Sequence, residues 1–135
     1  MCTTKMQGIR GATVAAENTS DAILSATREM LLAIMAVNPS LQTEDLASAF
    51  FTVTVDLNAT YPARAAREMG WMDVPLLCAR EIPVPGELSR CVRVLLHWNT
   101  DLPQVDVHHV YLKEAVQLRP DLDQQKIGNF QEVIQ

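Results

Sequence analysis

Residues 74 to 100 read VPLLCAREIPVPGELSRCVRVLLHWNT, and the fold turns on them. From Arg90 to Trp98 the two-residue period of a strand sends Val92, Val94, Leu96 and Trp98 to one face, and Cys91, Arg93, Leu95 and His97 to the other. The first face is continuous apolar surface and demands a core. The second carries one permanent cation, Arg93. Upstream, residues 74 to 83 form another strand, and Pro83, Val84, Pro85 and Gly86 turn the chain between the two. Glu81 and Arg93 are therefore ionised groups in strand-like, apolar surroundings, which is costly unless they are paired or functional. Strict alternation over 74 to 83 puts Cys78 and Glu81 on opposite faces, so a bulge or bend is expected there if both line one pocket.

Before this stretch, residues 7 to 16 read as a first strand, with Gly8 and Gly11 flanking Arg10 so that other backbone or a ligand can come close. Asn18, Thr19 and Ser20 offer N-cap oxygens to a long amphipathic helix. Ile23, Thr27, Met30, Leu31, Ile34 and Val37 line it at helical spacing until Pro39. Glu44 and Asp45 favour a second, shorter helix that begins at Thr43 and runs into Phe50. Phe51, Val53 and Val55 alternate with Thr52 and Thr54 as a strand. Pro62 and Gly70 then bracket a short helix carrying Arg64 and Arg67 at i,i+3. After the Arg93 strand, 108 to 113 read as a helical turn and 115 to 118 as extended chain. Residues 123 to 135 are polar and read as a mobile tail. Strands and helices interleave without repeat or linker, which predicts one domain over 1 to 135 of mixed α/β (α+β) class, not a helical bundle.

Composition narrows the class of function. The 135 residues are 48% hydrophobic with a formal charge of −5 and no basic block, which argues against nucleic acid, whose phosphates require clustered cations. Three cysteines at unrelated spacings, Cys2, Cys78 and Cys91, suit neither a disulfide framework nor a zinc site and fit a reducing compartment. The first residues, MCTTKMQGIRG, lack the apolar centre of a signal peptide, and no apolar run reaches membrane-spanning length. A cytoplasmic protein, with neither membrane nor nucleic acid as partner, is the expectation.

The usual catalytic signatures are missing: there is no Gly-rich phosphate loop, no nucleophile elbow and no metal-ligand spacing. Cys78 lacks the histidine partner that would activate it as a nucleophile. What remains is a set of arginines (Arg10, Arg64, Arg67, Arg93 and Arg119), one carboxylate, Glu81, and one phenol, Tyr111, each near an apolar strand or turn. Guanidinium groups hold carboxylates with two points of contact, so this inventory suits a di-acid ligand, with Glu81 accepting from a ligand hydroxyl. A reaction in such surroundings proceeds by positioning and electrostatics alone.

Four separated segments carry a closer resemblance: GIRGAT (8 to 13), YPARAARE (61 to 68), GW..VPLLCAREIPVPGELSRCVRVL (70 to 95) and HVYLKEAVQLRPDL (109 to 122). In order and spacing they resemble the chorismate mutases of the small trimeric, barrel-like class, over roughly residues 7 to 122. The resemblance implies a mixed β-sheet with helices on its outer face, and a homotrimer forming a pseudo-α/β-barrel with active sites at the subunit interfaces. It also implies the rearrangement of chorismate to prephenate with no cofactor and no metal.

Residue by residue, the resemblance sets Arg93 against the substrate's ether oxygen and Glu81 against its hydroxyl, with Cys78 beside that region. It sets Arg10 and Tyr111 on the carboxylate and ether-bridge side, and Arg67 and Arg119 near the mouth. Tyr61, Ala63, Arg64, Leu76, Leu77 and Leu118 fall along the substrate. The chain departs from the family's pattern at Arg64 for a lysine, Tyr61 for a phenylalanine and Leu77 for a threonine. It implies that Glu81 and Arg93 stand apart across one cavity, and that the tail over 123 to 135 is at most a lid. A non-catalytic trimer that binds a small carboxylate metabolite is the alternative reading of the same residues.

Overall fold

A computed structural model of the chain describes residues 4 to 119; the tail expected over 123 to 135 lies outside them. Five strands form one mixed sheet: β1 (Lys5–Val14), β2 (Leu46–Val53), β3 (Leu76–Arg80), β4 (Cys91–Thr100) and β5 (Val110–Tyr111), ordered β3-β2-β4-β1-β5. β4 runs antiparallel to both β1 and β2, whereas β3 and β5 pair in parallel at the two edges. Two helices, α1 (Ser20–Val37) and α2 (Ala63–Glu68), complete the α/β framework.

Alternation along β4 holds as the sequence implies. Val92, Val94, Leu96 and Trp98 are buried, and they share a core with Ile9, Phe51 and the inner face of α1. Ile23, Met30, Leu31 and Ile34 supply that face, and Thr19 starts the helix, its hydroxyl accepting from the Ala22 N–H at 3.1 Å. At the other end, Asn38 is buried and clasps the segment before β5. It donates to the His108 carbonyl at 2.9 Å and accepts from the His108 N–H at 3.0 Å. This clasp sets the approach to Tyr111.

Gly11 is where helix and sheet come closest. A Cβ there would stand 2.8 Å from Ile34 Cδ1 and 3.0 Å from Val94 Cγ1, so the close neighbours are side chains, where backbone or a ligand was expected. Gly8 has only an ordinary contact, at 3.7 Å from Leu95. Gly11→Ala should therefore cost about 1–3 kcal/mol through overpacking, measured as a lower thermal unfolding midpoint. An unchanged midpoint would mean that α1 can move aside freely.

Three expectations about local structure need correcting. Thr43–Asp45 is a single 3-10 turn, and the chain from Leu46 is strand, not helix. A register shift between Leu46 and Ser48 adds one residue at Ala47, so buried positions fall at Leu46, Ala49 and Phe51. The three-residue gap imitates a helical period, while the ladder to β4 decides for strand. Farther on, 110 to 111 are strand where a helical turn was expected, and Lys113–Leu118 is a 3-10 helix where extended chain was expected. Val110, Tyr111 and Leu112 are buried, and pairing of Gly11 with Val110 recruits them to the edge of β1. A two-residue strand has no period to read.

The start of β4 is held by a polar clasp. Arg90 adopts φ +50°, a left-handed backbone unusual outside glycine. Its N–H donates to both Asp56 carboxylate oxygens, at 3.1 and 3.0 Å, and its Nε donates to the Ala15 carbonyl at 3.0 Å. Thr54 Oγ1 accepts from the Cys91 N–H at 3.0 Å. These bonds lock the register in which Arg93 lies opposite Ala12 on one side and Thr52 on the other.

Candidate active site

The face of the sheet opposite the α1 core carries the chemistry. Register places Arg10, Ala12, Arg93, Leu95, Phe50, Thr52 and Tyr111 on this face, because Arg10 pairs with Leu95, Ala12 with both Arg93 and Tyr111, and Phe50 and Thr52 with Leu95 and Arg93. A cavity of about 420 Å³ opens there, lined by Arg10, Phe50, Thr52, Glu81, Arg93, Leu95 and Tyr111 among others. Four of the expected site residues, Arg10, Glu81, Arg93 and Tyr111, thus share one hollow. Leu118 joins them from the side: it lines a small adjoining recess together with Glu81 and Arg93. Arg119 follows directly and is the last described residue.

Glu81 sits one residue beyond β3. Its N–H donates to the Val53 carbonyl at 2.9 Å, and its Oε2 accepts from the Thr52 hydroxyl. Arg93 Nε approaches the same Oε2 at 3.8 Å. The two charges are therefore loosely paired within the cavity, not separated across it as expected. The correction has a simple cause: β2 carries Thr52 opposite Arg93 and Val53 beside Glu81, so one strand draws both groups together. With their side chains 35% and 23% exposed, water screens the pair and it contributes little to stability. The 3.8 Å approach is made through Nε, and a side-chain hydrogen bond also links Arg93 with the Cys91 thiol.

The bulge expected in the strand before Glu81 is absent. β3 pairs with β2 in unbroken register from Ala49 with Leu76 to Val53 with Arg80, and Cys78 therefore turns to the opposite face from Glu81. There it packs partly against the core and lines a second hollow of about 440 Å³ with Tyr61, Pro62 and Arg80. Burial pushes the Cys78 thiol up, while a backbone hydrogen bond with Ala63 and the charge of Arg67 pull it the other way. The net effect is upward, so the Cys78 thiol favours its protonated form near neutrality.

The remaining expected residues gather around this second hollow or beside it. Ala63 is buried at the start of α2, and Tyr61 is largely exposed. Arg64 is engaged by Glu68 at 3.1 Å, and Glu68 also meets Arg28 at 3.5 Å, so it is less a free cation than expected. Arg67 is exposed, with no ion pair among the described residues. Leu76 packs on the core, whereas Leu77, paired with Phe50, projects from the open face. Within one chain these expected residues therefore fall into two groups: Arg10, Glu81, Arg93 and Tyr111 at the first hollow with Leu118 in the recess beside it, and Tyr61 and Cys78 at the second, with Ala63 and Arg67 near Cys78.

Thr52, Phe50 and Leu95 line the first hollow without having been singled out as site residues. Thr52 had a usable signal. Its alternation with Phe51 and Val53 fixes its face, but only the β2-to-β4 register reveals that this face is that of Arg93.

Chemically, the first hollow can hold an anion with Arg10 and Arg93, accept from a hydroxyl with Glu81, and offer Arg93 to an oxygen that gains negative charge. Comparison with known proteins agrees in kind. A family model described as chorismate mutase type I matches residues 6–122. Chorismate mutase AroH of Thermus thermophilus is 56% identical over 118 residues, spanning 87% of this chain and 97% of that protein. The Bacillus subtilis (strain 168) protein of the same name is 42% identical over 118 residues, spanning 87% and 92%. Among solved structures, a chorismate mutase from Clostridium thermocellum superposes with a TM-score of 0.78 at 47% identity, over 80% of this chain and 96% of that one.

Proposed function

This chain belongs to the type I chorismate mutase family, and we infer that the hollow between Arg10, Glu81, Arg93 and Tyr111 is where it converts chorismate to prephenate. The reaction is an isomerisation within one molecule. The ether carbon-oxygen bond of the substrate breaks while a carbon-carbon bond forms, and no atom is gained or lost. Electron density moves onto the ether oxygen as its bond lengthens. Arg93, on a strand paired on both sides and with its guanidinium beside Glu81, is already in place to meet that charge. Arg10 holds a substrate carboxylate, Tyr111 supports the same side, and Glu81 accepts from the substrate hydroxyl. Together they select the compact conformer in which the two carbons to be joined lie close. The observation that carries this reading is the convergence of Arg93, Glu81, Arg10 and Tyr111 on one hollow from β4, the end of β3, β1 and β5.

The assembly we propose is a homotrimer whose sheets close a barrel-like centre, with each site shared between neighbours. Two features support it. Phe50, Leu95 and Leu77 are exposed apolar side chains on the sheet face opposite α1, apart from the portion where Ala115 packs with Ala12 and Tyr111, and they are the kind of surface a second copy would cover. The second group, Tyr61, Ala63, Arg67 and Cys78, then completes the site of the adjacent subunit, with Arg67, Arg119 and the partly occupied Arg64 near its mouth and Leu76, Leu77 and Leu118 along its walls. The free thiols of Cys78 and Cys91 accord with the cytoplasm as its location. No helix among the described residues is long and apolar enough to cross a membrane.

Mixing tests both halves of the reading. Arg93→Ala and Arg67→Ala proteins, each weak alone, should regain a substantial part of the parental chorismate turnover when unfolded and refolded together, because some mixed sites receive two intact contributions. Recovery no greater than the mean of the separate activities would place both arginines in one subunit's site.

A further inference from the structure

Two hydrogen bonds anchor Glu81 to β2, and the side-chain half of that anchor is a residue the reaction scheme leaves without a part. The Val53 carbonyl holds the Glu81 N–H at 2.9 Å, and the Thr52 hydroxyl donates to Glu81 Oε2. Thr52 pairs directly with Arg93 across the ladder, and Arg93 Nε stands 3.8 Å from that same oxygen. A carboxylate and a guanidinium this close would ordinarily close into a two-point pair at about 2.7–2.9 Å. Such a pair would spend the charge of Arg93 on Glu81 and turn its N–H groups away from the ether oxygen.

We propose that Thr52 is a positioning residue for the rearrangement: its hydroxyl occupies Glu81 Oε2, leaves Oε1 for the substrate hydroxyl, and keeps Arg93 from collapsing onto the carboxylate. This rests on the reading of the hollow as the chorismate site. A hydroxyl suits the task because it satisfies a carboxylate lone pair without adding a charge that would compete with Arg93. The β-branched side chain suits it too, since a strand leaves threonine few χ1 choices and the hydroxyl is held in direction. Thr52 also lines the hollow itself, half-buried, so its effect is exerted next to bound substrate.

The test compares Thr52→Val, which keeps the shape and loses the donor, with Thr52→Ser, which keeps the donor. kcat and KM for chorismate and the thermal midpoint are measured for each. Thr52→Val should lower kcat about tenfold with its midpoint at the parental value, and Thr52→Ser should stay within about twofold of the parent. In a Glu81→Ala background, Thr52→Val should have no further effect, because the carboxylate it serves is gone. Parental kcat in Thr52→Val, equal losses for valine and serine, or a full additional loss in the double variant would each overturn the proposal. Thr52→Ala read against Thr52→Ser gives the same comparison if the valine variant does not fold. A parent protein inert toward chorismate would overturn the reading of the hollow and this proposal with it, whereas an active parent with an indifferent Thr52→Val overturns the role of Thr52 alone.

Discussion

Arg93→Ala should lower chorismate turnover by about a hundred- to a thousandfold, the loss expected when one preorganised donor worth roughly 3–4 kcal/mol is taken from a transition state. The loss should fall mainly on kcat. In the proposed mechanism Arg93 meets charge that exists on the ether oxygen only as the bond breaks, so ground-state binding should lose less than the transition state. Arg93→Lys should also be poor. A lysine ammonium is a single compact charge on a flexible stem, and it cannot approach Glu81 through one nitrogen while presenting others to the substrate. The fold should survive both changes, because Arg93 lies on the open face of β4 while the core holds Val92, Val94, Leu96 and Trp98 from the other side. Steady-state kinetics with the thermal midpoint as control checks this. Near-normal turnover in a folded Arg93→Ala protein would remove Arg93 from the mechanism.

Glu81→Ala should reduce kcat/KM by about a hundredfold, as expected when a charge-assisted hydrogen bond to the substrate is lost and its hydroxyl goes unsatisfied in the hollow. Two further consequences separate this variant from Arg93→Ala. The ion pair at 3.8 Å disappears, which frees Arg93, and the Thr52 hydroxyl loses its acceptor. Because that pair is partly exposed, stability should hardly change. Glu81→Gln keeps one carbonyl oxygen as acceptor and should lose about tenfold. Kinetics on purified Glu81→Ala and Glu81→Gln checks the order, and a glutamine variant worse than the alanine variant would contradict the acceptor role.

The legible parts of this molecule are those where one residue pattern decides one element. β4 was readable because Val92, Val94, Leu96 and Trp98 alternate without a break, and the single cation among the partners of that face marked Arg93. α1 was readable from its cap at Thr19 and its buried stripe up to Ile34. The parts that misled are those decided by pairing at a distance. Ala47 inserts one residue against β4 and makes a strand look helical, and β5 exists only because β1 offers it an edge.

The site follows the same division. Arg10, Glu81, Arg93 and Tyr111 could be nominated from chemistry and resemblance, but their meeting in one hollow depends on register. The bulge expected between Cys78 and Glu81 is absent, because β3 keeps its register and turns the thiol away from Glu81. Thr52 was visible as a strand threonine, while its bond to Glu81 was not, since 29 residues separate them in sequence.

Whether the protein rearranges chorismate is decided by incubating the purified protein with it and following substrate and products together over time. Chorismate should disappear at a rate proportional to enzyme, with prephenate appearing in equal amount. Chorismate that is bound but returned unchanged, or consumed to any other product, would contradict the proposed function.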